Sequence, residues 1–78
     1  MREKELRLVI TFHTTTAAMA MEKACNARSL PGRLIPVPRE ITSGCGMAWS
    51  APPESREALE QAACSEGIEV AGVYQLTI

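Results

Sequence analysis

Seventy-eight residues suffice for one small domain, because a chain of that length buries only about 60% of its unfolded surface and has a thin core. Hydrophobic residues at 46% and charged residues at 22% give the balance of an ordered globular chain rather than a disordered one. Eight Lys and Arg against nine Asp and Glu leave a net charge of −1, and aromatics are 4%, so neither phosphate neutralisation nor base stacking is supported and no nucleic-acid partner is expected.

Residues 6–12 alternate, with Leu6, Leu8, Ile10 and Phe12 on one side, which predicts a strand. Thr14, Thr15 and Thr16 open a helical run over 14–29. A threonine can cap that helix by accepting from a free N–H of its first turn, while Ala17, Ala18, Met21, Ala24, Cys25 and Arg28 fall on one stripe. Leu30-Pro31-Gly32 is expected to end it. Residues 33–41 read as a second strand. Pro36 and Pro38 lie two apart, so both missing N–H groups would face one side, as on a sheet edge. Thr42-Ser43-Gly44-Cys45-Gly46 is a turn, and residues 47–51 form a third strand with Met47, Trp49 and Ala51 on one face. Pro52-Pro53-Glu54-Ser55 starts a second helix with Ser55, Ala58, Leu59, Ala62 and Ala63 on its narrow apolar stripe, Gly67 ends it, and residues 70–78 are the last strand.

The order βαββαβ in a single domain, 1–78, predicts an α+β ferredoxin-like sandwich: a four-stranded antiparallel sheet with two helices on one face. Strands one and three would be central and strands two and four would be edges. The other sheet face would carry Val9, Ile35, Val37 and Val73, an apolar surface suited to a homodimer. No apolar stretch approaches the roughly 20 residues of a bilayer span, and the charged start lacks a signal segment. A cytoplasmic location is therefore expected, with the thiols reduced. The cysteines are three, spaced 20 and 19 residues apart, with no Cys-x-x-Cys pair. Neither a disulfide framework nor a zinc site follows, and no metal or cofactor is expected.

Tracing strand directions brings Cys45 beside His13 and the start of the first helix. A thiolate is the reactive form of cysteine, and a helix N-terminus, an Arg and a His each favour it. Gly44 and Gly46 would let the turn present sulfur and backbone N–H groups together. Cys45 is thus either a nucleophile or a small residue filling a hairpin. His13 is either its proton partner or a polar residue closing a strand. Arg39 either steadies a thiolate or anionic substrate, or pairs with Glu40 or a surface acid. Thr14 and Thr15 either bind an anion at the helix start or cap the helix. Cys25 reads as core, Cys64 as partly exposed without a role, and Met19, Met21 and Trp49 as packing residues.

The run Arg33-Leu34-Ile35-Pro36-Val37-Pro38-Arg39-Glu40-Ile41-Thr42-Ser43-Gly44-Cys45-Gly46 resembles the signature of a small bacterial family of selenium/sulfur carrier-like proteins. Thr11-Phe12-His13-Thr14-Thr15, followed by an Ala-rich helix with Met21-Glu22-Lys23, is similar to that family's opening. The resemblance spans nearly the whole chain. It implies that Cys45 carries sulfur or selenium as a persulfide or selenopersulfide, and that the protein is a carrier more than a turnover enzyme. Its natural partners would be a pyridoxal-dependent cysteine desulfurase as donor and an acceptor protein. The Cys-Pro-x-Pro box of other small sulfur carriers is absent from the chain. Two readings of other classes stand beside this one: a non-catalytic ligand-binding or regulatory module of the same fold, and a thiol redox sensor, which lacks an evident resolving cysteine.

Overall fold

The computed structural model describes residues 5–39, 41 and 46–77. Strand β1 (Leu6–Phe12) leads into helix α1 (Thr15–Ala27), followed by β2 (Arg33–Pro36) and β3 (Met47–Ala51). One 3-10 turn (Pro53–Ser55) runs directly into α2 (Arg56–Ser65), and β4 (Val70–Thr77) closes the order. The strands form one open antiparallel sheet, β2-β3-β1-β4, so the architecture is α+β with β1 and β3 central.

Alternation divides the central strands between two faces. On one side Leu8, Ile10, Phe12, Trp49 and Ala51 pack against Ala18, Met21 and Cys25 of α1 and Leu59 and Ala63 of α2. The Trp49 indole is buried, and its Nε1 donates to the Pro31 carbonyl at 3.3 Å. That contact leaves no room beside Gly32. A Cβ there would meet the indole and lie 2.6 Å from the Ser50 carbonyl oxygen, and its φ of +121° disfavours any side chain.

Both helices end in the same hydrogen-bonded motif. The Leu30 N–H donates to Cys25 at 2.9 Å and the Ser29 N–H to Asn26 at 3.3 Å. In α2, Ile68 donates to Ala63 at 2.8 Å and Gly67 to Cys64 at 3.2 Å. This pattern needs a left-handed residue just past the helix. Gly67 serves α2 at φ +68°, as expected, but Ser29 serves α1 at φ +56°. Helix α1 therefore stops before the Pro31-Gly32 pair that was expected to end it, and Gly32 instead makes way for Trp49. The helix ends also meet: Arg28 Nη2 donates to Glu66 Oε2 at 2.9 Å and to Ser65 Oγ at 3.3 Å.

The second strand is shorter than the expected 33–41. Its pairing reaches the Val37 N–H, which donates to the Gly46 carbonyl at 3.0 Å. N–H groups alternate along a strand, so the nitrogens of Pro36 and Pro38 face away from β3, in keeping with the edge reading. Ile41 then donates to the Pro38 carbonyl at 3.0 Å, closing a turn, and its side chain is buried beside Val9 and Ala48.

That turn corrects the expected open face. Val9 is fully buried, because Ile41, Ile35, Val37 and Leu76 gather over it. Val73 lies opposite Ile10 and so belongs to the helix-covered side. Thr11 and Ser50, also on the second face, are buried and hydrogen-bonded: Thr11 Oγ1 donates to the Gly72 carbonyl at 3.4 Å, and Arg7 Nε donates to Ser50 Oγ at 3.2 Å. Two further expectations change. Ala58 and Met19 are exposed rather than packed.

Candidate functional site

The register brings three segments to one end of the sheet. Thr11 pairs with Ala48, so the chain beyond β1, at His13, and the chain before β3, at Gly46, leave the β1–β3 pair at the same end. Gly46 also accepts from Val37, which adds the exit from β2. Helix α1 begins at Thr15, two residues after His13. Cys45 and Gly44 lie outside the described residues, so the centre of the expected site is defined here by its flanks.

Thr14 is the cap of α1. Its Oγ1 accepts from the Ala17 N–H at 3.1 Å, in extended backbone geometry. Thr15 is the first residue of the helix, and both threonines are exposed. Capping thus occupies Thr14, while Thr15 makes the first turn solvent-facing. Gly46 has φ +76° with open space where a Cβ would stand, so the turn uses glycine for its backbone angle and not for close packing.

His13 is more than half exposed. Its Nε2 lies 3.9 Å from Glu69 Oε1, across the β1–β4 pair, a distance that supports charge attraction once the ring is protonated. Glu69 escaped the sequence reading because it is distant in the chain and precedes β4 by one residue. A shift in the β1–β4 register brings it close: Thr11 faces Gly72 but Phe12 faces Val70. Such bulges re-aim the residues around them. Arg39 is exposed within the Pro38–Ile41 turn rather than at a strand end.

The other two cysteines separate clearly. Cys25 is fully buried among core residues, and that burial pushes its thiol pKa up, against a smaller opposing pull from the Arg28 guanidinium. It stays a protonated core thiol. Cys64 is exposed on α2, beside a groove of about 270 Å³ lined mainly by Ile10, Leu59, Ala63, Ile68, Val70 and Val73. Glu60 is the charged side chain in that lining, and its carboxylate is paired with Arg56 Nε at 3.0 Å. Among the described residues no group of His, Cys, Asp and Glu side chains could hold a metal ion, and no helix is long and apolar enough to cross a membrane.

The family described as "Putative Se/S carrier protein-like" matches residues 7–75. No curated protein and no solved structure matches the chain. The matched span runs from β1 through β4 and includes the β2–β3 connection with Cys45, and the chain belongs to this Se/S carrier-like family.

Proposed function

We propose that this chain is a chalcogen carrier, a single ferredoxin-like domain whose Cys45 receives a sulfur or selenium atom and passes it on. The family match over residues 7–75 carries this reading. The convergence of the β1, β2 and β3 ends on the Cys45 segment supports it.

In the loading step the Cys45 thiolate attacks the terminal sulfur of a persulfide held on a donor protein. The bond between the two donor sulfurs breaks, its electron pair leaves on the donor thiolate, and Cys45 becomes the persulfide. An acceptor nucleophile then attacks the terminal atom and returns Cys45 as thiolate. The atom moves without net oxidation or reduction, and no resident cofactor is required. Selenium would follow the same course as a selenopersulfide. His13 takes the thiol proton, with Glu69 facing the imidazolium that results. Arg39, exposed in its turn, screens the anionic persulfide. Thr15, Gly44 and Gly46 shape the surroundings of the sulfur at the start of α1, and Thr14 acts through the cap. The donor would be a cysteine desulfurase working in the cytoplasm, and the acceptor a second protein.

Incubation with a desulfurase and cysteine tests the step. The intact chain is expected to gain the mass of one sulfur atom, reversed by a thiol reductant, and Cys45→Ser is expected to gain none. His13→Ala is expected to load about tenfold more slowly near neutral pH while reaching the same final occupancy. Loading of Cys45→Ser to the wild-type extent would overturn the proposal.

A further inference from the structure

The two edges of the sheet are built differently. At β2, Pro36 and Pro38 turn missing N–H groups to the outside, and the strand is only four residues long. At β4, eight residues from Val70 to Thr77 include no charge and no proline. Natural edge strands are normally blunted by such residues, because an open edge pairs with other chains.

The backbone groups on the β4 edge follow from the pairing. Val37 and Gly46 share a ladder bond, so Gly46, Ala48 and Ser50 direct their N–H and C=O groups to β2. Their neighbours Trp49 and Ala51 therefore bond Ile10 and Leu8. Arg7, Val9 and Thr11 then bond Leu76, Tyr74 and Gly72. Val73, Gln75 and Thr77 are left with N–H and C=O groups facing outward.

We propose that this edge pairs with β4 of a second copy of the chain, antiparallel, about a two-fold axis through Gln75. In that register Gln75 faces Gln75 of the second copy, and Val73 faces its Thr77. All three outward residues on each copy then exchange hydrogen bonds, and the two sheets join as one of eight strands with all helices on one side. Tyr74 falls opposite Leu76 of the second copy in the closer, non-hydrogen-bonded type of pair. Tyr74 is 41% exposed and Leu76 half-buried, so the pairing covers apolar surface that the single chain leaves open. Gly72 contributes by lying under the Tyr74 ring, 2.8 Å from where its Cβ would be. A second copy fits better than an unrelated strand because the sequence is complementary to itself in this register and brings no like charges together.

Amide exchange and solution mass test the pairing on the full chain. The wild type at submillimolar concentration is expected at twice the 8.4 kDa chain mass, with the Val73, Gln75 and Thr77 amides protected. Gln75→Lys places two ammonium groups together on the axis and Gln75→Pro removes an outward N–H; each is expected to give a folded monomer. A monomeric wild type with these three amides exchanging freely would overturn the pairing. So would a dimer that leaves them unprotected, whether or not the variants fold.

Discussion

At the scale of single residues, two positions tie packing to chemistry. Gly32 must be glycine for two separate reasons, its φ of +121° and the indole of Trp49 against it. Gly32→Ala is expected to cost about 2–4 kcal/mol, read as a lower urea midpoint followed by Trp49 fluorescence. A change under about 0.5 kcal/mol would show that the Trp49 seat is looser than described. Cys25 makes the second case. Burial holds its thiol protonated in the folded chain, whereas the unfolded chain ionises it above the ordinary thiol range of about 8.5. The folded state then binds more protons, so this contribution to stability is whole below the ordinary range and is lost progressively as pH rises from there to the raised value of the folded chain. Between pH 7 and 10 the wild type is therefore expected to lose more stability than Cys25→Ala, which lacks the group. Equal losses would contradict it.

At the scale of elements, the ends carry most of the information. Thr14 caps α1 as the sequence implied, since a threonine before an Ala-rich run has an N–H to satisfy. Thr14→Ala is expected to cost about 1 kcal/mol in chemical unfolding. The other end was misread because a Pro-Gly pair is a louder signal than a serine. Ser29 holds the left-handed position at φ +56°, so Ser29→Gly is expected to stabilise the chain by roughly 0.5–1 kcal/mol. A loss of stability there would mean that the serine side chain has a role of its own. Strands β1 and β3 were legible over their full lengths because their alternation has a buried side to report. β2 was expected over 33–41 and ends at Pro36, with one further ladder bond from Val37. Val37 and Ile41 are apolar like strand residues, yet one continues the ladder while the other ends a turn, and composition does not separate those cases.

At the scale of the whole molecule, the edge position of β2 was legible because Pro36 and Pro38 mark it before any pairing is known, and the central position of β1 and β3 was expected from the order of elements. The covering of the second face was not. A turn that folds Ile41 back over Val9 and Ala48 has no periodicity to betray it. This side chain also ties the segment leading to Cys45 onto the sheet. Ile41→Ala is expected to cost about 2 kcal/mol and to slow loading of Cys45 more than it lowers final occupancy. Unchanged loading would detach the anchor from function. Of the expected site, the end of the sheet that carries His13 and the Thr14 cap was legible from the strand directions, Cys45 lies outside the described residues, and Glu69 became visible only through the register shift in β4. The central claim is that Cys45 holds the cargo. Intact-mass and peptide-mapping measurement of the chain purified without reductant tests it most directly. The expected result is a reductant-labile sulfur or selenium adduct on the peptide containing Cys45, absent from those containing Cys25 and Cys64. An adduct confined to Cys64, or none at all in cells with an active desulfurase, would contradict the account.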